Sequence, residues 1–219
     1  MTDADNLTLD ELRVALAPRI ASAAVFDGWT SEAVANAAEE AGVDPDVAAY
    51  AFRGGAMDMI AAWISEVDAR MQGAFDTAEL AQLPVRERIR KLVLFRLEQC
   101  LGLEESLSRA MAVMAMPQNA GRAVKLGWAS ADSMWRLAGD TSLDYNYYTK
   151  RAILSGVYAA TVSVFADDSS DGKSETKAFL DRRLEGIIRF EKFKARVLRP
   201  DAERFSVSRF LGRLRYPSA

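Results

Sequence analysis

Histidine is missing from this sequence, and cysteine occurs once, at Cys100. The first absence removes the commonest general base, and with it Ser–His and Cys–His catalysis and His-ligated metal sites. The second excludes an intramolecular disulfide and fits a reducing compartment. Cys100 lies in the apolar run 92–103, so it is expected to pack in the core rather than to act as a nucleophile. No stretch alternates apolar and polar residues with period two, and no run of about 18 apolar residues occurs; neither a sheet nor a membrane span is expected. The net charge of −3 gives no general attraction to nucleic acid. The first residues are acidic (Asp3, Asp5, Asp10, Glu11) and lack the apolar stretch of a secretory signal or the arginines of a transit peptide. A bacterial, cytoplasmic protein is therefore expected, and the basic amphipathic tail, residues 200–219, adds a peripheral position on the inner membrane face.

Half of the residues are hydrophobic, ample for a core, and helix formers dominate. The expectation is an all-α chain of about ten helices. It divides into a helical unit at 1–54, a bundle at 55–199 and a separate C-terminal helix at 200–219. Thr8 or Asp10 starts the first helix, and Thr30 or Ser31 caps a second over Glu32–Glu40. Ala41-Gly42-Val43-Asp44-Pro45 is a tight turn, with Gly42 past one helix end and Pro45 inside the next start. Further helices are read over Asp46–Phe52, Met57–Phe75, Val85–Leu101, Leu103–Met116 and Asn119–Leu137. Arg86, Arg88, Arg90 and Lys91 read as a solvated face. Asp167-Asp168-Ser169-Ser170-Asp171-Gly172 begins like a calcium loop but has Ala178 where the bidentate Glu belongs, so it reads as a polar loop before a last bundle helix from Lys173.

Residues 139–168 read as one long helix with a polar aromatic head. The charge-free body, Ala152 to Ala166, is expected to be buried nearly all round. The head, residues 144–151, sets three tyrosines beside Asp, Asn, Lys and Arg; it reads as a helix start with Asp140, Ser142 or Asp144 as cap and the tyrosines packed on neighbours, or as a surface for contact with another protein. In the tail, Val207, Phe210, Leu211 and Leu214 share one helical face among Arg204, Arg209, Arg213 and Arg215. A short basic amphipathic helix of this kind fits a bilayer interface, or docks on protein.

Gly28-Trp29-Thr30, Val34, Ala37-Ala38, Ala41-Gly42-Val43, Phe52 and Asp58 resemble the helix-turn-helix of the tetracycline-repressor family. The element that would enter the major groove, however, presents Asp44 and Asp46 and no cation before Arg53, which opposes phosphate contact. DNA binding is expected to have been lost.

A longer motif resembles a second family: Gly139 to Leu154, Val157 to Thr161, Asp167 to Ser170 and Phe179 to Arg183. It is similar to the signature of coenzyme Q biosynthesis protein nine. That resemblance implies a non-enzymatic accessory of the demethoxyubiquinone hydroxylase with a tetracycline-repressor-like fold. It implies an isoprenoid quinone or other lipid as ligand and no cofactor, in a cavity lined by Met111, Met114, Leu154, Val157, Tyr158, Thr161 and Phe165. It implies a hydroxylase-binding patch of Met134, Trp135, Asp144, Tyr147, Tyr148 and Arg151, and membrane contact through Arg204, Val207, Phe210, Leu211, Arg213 and Leu214. A homodimer follows from the repressor-like fold by analogy. The alternatives are a ligand-responsive repressor and, less favoured by the residues, an enzyme using Asp144 with Tyr148.

Overall fold

The first helix, α1 (Leu9–Asp27), starts where Thr8 and Glu11 satisfy each other's backbone: the Glu11 carboxylate accepts from the Thr8 N–H at 2.8 Å, and the Thr8 hydroxyl accepts from the Glu11 N–H at 3.3 Å. Thr30 caps α2 (Ser31–Ala41). Gly42 ends it with φ of 67°, a left-handed conformation that glycine adopts without a Cβ penalty. Asp44 caps α3 (Pro45–Ala51), with Pro45 in its first turn. Then come α4 (Ala56–Ala74), a short α5 (Thr77–Ala81), α6 (Val85–Glu98), α7 (Glu104–Ala115), α8 (Ala120–Leu137), α9 (Tyr145–Asp167) and α10 (Ser174–Val197).

This computed structural model describes residues 7–143 and 145–197, with side chains for all of them except Tyr145 and 188–197. The described residues are helical or in connections, so the all-α expectation holds. The inventory differs in one respect: α5, capped by Asp76, was not anticipated. The proposed C-terminal helix and its membrane residues Arg204, Val207, Phe210, Leu211, Arg213 and Leu214 lie outside the described residues, as does Asp144. Among the described residues no helix is long and apolar enough to cross a membrane.

By its internal contacts the chain divides after Leu184. The first unit holds α1 to α9 and the start of α10; the second holds the remainder of α10, from Glu185. Within the first unit, α1 packs on α2 and α4, and α8 packs on α9. Leu16, Ile20, Ile60, Met71, Leu92, Val93, Met134, Phe165 and Leu180 are among its fully buried side chains. Cys100 is buried, as expected, and burial pushes its thiol up to about 12, away from thiolate chemistry at neutral pH.

One expectation from the sequence does not hold, and another holds with more structure than the sequence showed. The arginines of α6 are not a solvated face. Arg88 donates to the Leu83, Ala81 and Ala138 carbonyls at 2.7, 2.7 and 2.8 Å, which ties the end of α8 to the start of α6. Arg90 pairs with Asp181 at 2.6 Å, joining α6 to α10. The Asp-Asp-Ser-Ser segment is more than a polar loop. Asp168 is 4% exposed, and its carboxylate accepts from the Ser170 N–H and hydroxyl at 2.9 and 2.5 Å and from the Thr176 N–H and hydroxyl at 2.8 and 2.6 Å. Burial opposes its ionisation, but these bonds outweigh burial and hold it below the usual carboxylate range. Asp168→Ala is expected to cost about 2 kcal/mol by orphaning the first turn of α10, measurable by urea denaturation. Asp168→Asn, which keeps an acceptor, should lose less.

Candidate functional site

Trp128, Asp132 and Trp135 stand at i, i+4 and i+7 on α8, so they share one helical face. The helix stops at Leu137. The Ala138 and Gly139 N–H groups bond back to Met134 and Arg136 carbonyls at 2.9 and 3.0 Å, and Gly139 takes φ of 85°. That turn is why residues 139–143 are not helical. The expected single helix over 139–168 therefore begins only at Tyr145. The extended loop sets Asp140 and Ser142 beside the first turns of α9.

Arg151 lies at the centre of a polar cluster between α8, this loop and α9. It is 1% exposed. Its Nε donates to Asp132 Oδ1 at 2.5 Å, and its Nη1 donates to Asp140 Oδ2 at 3.0 Å and to the Tyr147 carbonyl at 3.1 Å. The guanidinium lies over the Tyr147 ring, 3.5 Å from its centroid. The Tyr147 hydroxyl donates to Asp132 Oδ1 at 3.1 Å. Lys150 Nζ donates to Asp140 Oδ1 at 2.7 Å and Ser142 Oγ at 2.8 Å. Trp135 Nε1 donates to the Lys150 carbonyl at 3.0 Å. Burial opposes ionisation of Asp132 and Asp140, yet both stay below the usual carboxylate range. For Asp132 the Arg151 and Tyr147 hydrogen bonds outweigh burial; for Asp140 those from Lys150, Ser142 and Arg151 do.

On this ionic base stands an aromatic group. The Tyr147 and Tyr148 rings meet edge to face at 5.1 Å, and the Trp128 ring lies 6.5 and 6.2 Å from them. Tyr148 is 61% exposed, and neighbouring Leu143 is 94% exposed. The carboxylates of the cluster are held ionised by cations, and no group suited to metal is gathered among the described residues. The arrangement makes a rigid, partly apolar surface.

Two residues of the expected patch are thereby moved. Met134 is fully buried and Arg151 is an internal ion-pair partner, so neither offers a surface contact. Trp135 and Tyr147 are half-buried, and Tyr148 is outermost. Trp128, Asp132 and Asp140 were not assigned to the site. The first two carried a usable signal, their common helix face with Trp135. Asp140 became legible only once the loop placed it against Arg151.

The body of α9 also differs from expectation. Arg151, Leu154, Thr161, Val162 and Phe165 are buried, but Ala152, Gly156, Ala159 and Ser163 form an exposed row. A charge-free face of such small side chains has little apolar area to hide, so the absence of charge did not require burial. Of the expected cavity residues, Leu154, Thr161 and Phe165 are packed inside, whereas Met111, Met114, Val157 and Tyr158 are half-buried. Phe165 lines a pocket of about 220 Å³ with Leu94, Leu97 and Leu101; Glu98, Lys173 and Lys177 complete its wall. That is less than the roughly 300–1,000 Å³ of pockets that take drug-sized ligands.

The COQ9 family model matches residues 120–191, the span of α8, α9 and most of the described α10. The rat ubiquinone biosynthesis protein COQ9 is 34% identical over 164 residues, covering 72% of this chain and 52% of that protein. The chain belongs to the COQ9 family. The human COQ9 protein is 31% identical with 72% of this chain and 51% of its own length covered, and a Dictyostelium discoideum relative named a probable ubiquinone biosynthesis protein is 28% identical, covering 76% and 56%. The chain thus spans about half the length of the curated COQ9 relatives it matches. A TetR transcriptional regulator from Nitrosomonas europaea superposes with a TM-score of 0.62 at 22% identity, over 80% of this chain and 96% of that one. This establishes the repressor-like fold of the COQ9-family chain.

The expected bacterial, cytoplasmic location is corrected by these relatives, which are named as mitochondrial proteins. It had been drawn from the first residues alone. Over a chain that spans half of its relatives, the point where the sequence starts carries no address.

Proposed function

We propose that this COQ9-family chain is a non-enzymatic, lipid-binding accessory of ubiquinone biosynthesis. It holds an isoprenoid quinone intermediate or another lipid and presents it to the demethoxyubiquinone hydroxylase. The observation that carries this reading is the aromatic group of half-buried Trp128 and Tyr147 and exposed Tyr148 on a buried ionic base, inside the segment that matches the family. Aromatic side chains held rigidly at a surface contribute contact area at little entropic cost, which suits an interface hot spot. The lipid is ligand rather than cofactor. The pocket beside Phe165 is its point of entry, and it must widen to take a polyprenyl tail. Such a tail gains little hydrophobic free energy on leaving a bilayer, so the cavity must be comparably apolar; Leu94, Leu97, Leu101 and Phe165 supply such a lining. The basic segment 200–219 gives the bilayer contact. The exposed small-residue row of α9 is the face for a homodimer. The repressor alternative is weaker because Asp44 and Asp46 are exposed at the start of α3, where phosphates would lie.

Tyr148→Ala is expected to weaken hydroxylase binding by tenfold or more, about 1.5–2 kcal/mol, in a biolayer assay. Phe26→Ala, at a position 84% exposed in another part of the fold, is expected to leave it unchanged. Equal affinity for the Tyr148 variant and the parent would remove the aromatic group from the interface. Organic extraction of purified protein tests the lipid: isoprenoids above a matched control are expected, and a lipid-free extract after gentle purification would sink that half of the reading.

A further inference from the structure

The head of the first unit carries a strong charge imbalance. Residues 7–55 contain eight carboxylates (Asp10, Glu11, Asp27, Glu32, Glu39, Glu40, Asp44, Asp46) against three arginines (Arg13, Arg19, Arg53), a net of −5 in a chain whose total is −3. Arg13 is engaged by Asp10 and the Ala51 carbonyl, and Arg19 lies 4.0 Å from Glu40. Among the described residues, no ion pair engages Glu32, Glu39 or Asp46.

A groove of about 410 Å³ lies between α2, α3 and the start of α4, with Ser31, Ala35, Pro45 and Ala49 in its lining; Glu32, Glu39 and Asp46 are exposed outside that lining. Its floor is apolar: Trp29, Val34, Phe52 and Met59 are each 6% exposed or less. The Trp29 indole N–H is spent on the Ser106 carbonyl at 3.0 Å, so the floor offers no polar contact from that ring. The walls are small residues, notably Ala35, Ala49 and Ala56. Glu32, Ala35 and Glu39 follow i, i+3 and i+7 on α2, and Asp46 and Ala49 follow i and i+3 on α3, so acids lie one helical turn from the wall residues Ala35 and Ala49. Val47 and Tyr50, 45% and 55% exposed, extend the apolar surface outward along α3. Among the described residues that line the groove, Arg53 alone carries charge, and it is turned onto the Tyr50 ring at 5.2 Å.

We propose that this groove is a docking site for a cationic amphipathic helix of a partner protein. Small walls let two helix backbones approach closely. An apolar floor between helices takes a leucine-type stripe, and the acids outside the lining meet lysines or arginines flanking that stripe. In this chain the surface that a repressor turns to polyanionic DNA faces a polycation instead. The inference is independent of the hydroxylase reading, which rests on α8 and α9.

The test uses the full chain and three labelled synthetic helical peptides, read by fluorescence polarisation. One has a leucine stripe flanked by lysines, one the same stripe flanked by glutamates, and one the lysine composition in scrambled order. The lysine peptide is expected to bind saturably and at least about tenfold more tightly than the other two, and to weaken as salt is raised from about 50 to about 300 mM. Ala49→Arg, which fills the wall and adds a positive charge beside it, should abolish binding. Glu39→Lys should weaken it by about tenfold; its position in the last turn of α2 suits a cation, so that variant remains folded. Equal binding of the lysine and glutamate peptides, or binding indifferent to both substitutions, overturns the proposal. So does concentration-dependent self-association of the chain that Ala49→Arg removes, because the occupant would then be a second copy.

Discussion

Arg151→Ala is expected to destabilise the first unit by about 3–5 kcal/mol, among the largest losses for any single exchange in this chain. The residue is 1% exposed and neutralises Asp132 and Asp140 at once, while its guanidinium backs the Tyr147 ring. Truncation removes the buried cation shared by the two carboxylates, leaving Asp132 to Arg136 and Asp140 to Lys150, and opens a void beneath an aromatic ring. Arg151→Lys should recover only part of the loss, because a point charge cannot bond Asp132 through one nitrogen and Asp140 through another. The sign of the pH dependence separates charge from packing. Asp132 and Asp140 have folded pKa values below the unfolded range of about 4, so the stability they contribute is fully present above that range and is lost as pH falls through their folded values. The difference between parent and Arg151→Ala in urea denaturation should therefore be largest at neutral pH and narrow in acid. A difference constant with pH would mean that lost packing on Tyr147 dominates. The same substitution should also weaken hydroxylase binding through disorder of Tyr147 and Tyr148, although Arg151 itself touches no partner.

The helices were legible because their ends are written locally. Thr8, Thr30, Gly42 and Pro45 each act within one turn of their own position, and α1 to α3 begin within a residue or two of where the sequence puts them. The long apolar motif of α9 was legible as an element but not in its surroundings. Burial depends on what packs against a face, and the sequence of one helix does not contain its neighbours. Met134 and Arg151 show this failure: the family resemblance implied that both lie in an interface, and both proved internal. Arg151 was misplaced because its two partners, Asp132 and Asp140, lie 19 and 11 residues earlier and on a different helix and loop. The role of Asp168 was hidden for a related reason. Its four hydrogen bonds reach as far as Thr176, so the loop was legible but not the buried carboxylate on which α10 starts.

Arg96 sets the second large effect, in the interior of the bundle rather than at its surface. It lies on α6 and is 1% exposed; it pairs with Asp68 of α4, and it donates to the Tyr158 hydroxyl of α9 at 3.1 Å and to the Ser130 hydroxyl of α8 at 3.0 Å. One side chain thus joins four helices, two of which carry the aromatic surface. Burial raises Asp68 above the usual carboxylate range even with the guanidinium beside it, which marks the pair as poorly solvated. Arg96→Ala strands Asp68 and should cost about 3–5 kcal/mol at neutral pH. An acid whose folded pKa lies above its unfolded value opposes folding while ionised, so the variant should regain stability as pH falls through the raised value. Asp68→Leu added to Arg96→Met should recover most of the loss, since an apolar pair of similar volume needs no compensating charge. If it does, the pair is kept for something other than stability, and the Arg96 bond to Tyr158 becomes the reason to examine: it fixes the rotation of α9, and with it the direction in which Tyr147 and Tyr148 face. Hydroxylase binding by the stable double variant decides this. Retained stability with weakened binding assigns the buried ion pair to aiming the surface; retained stability and retained binding leave Arg151 alone in that role.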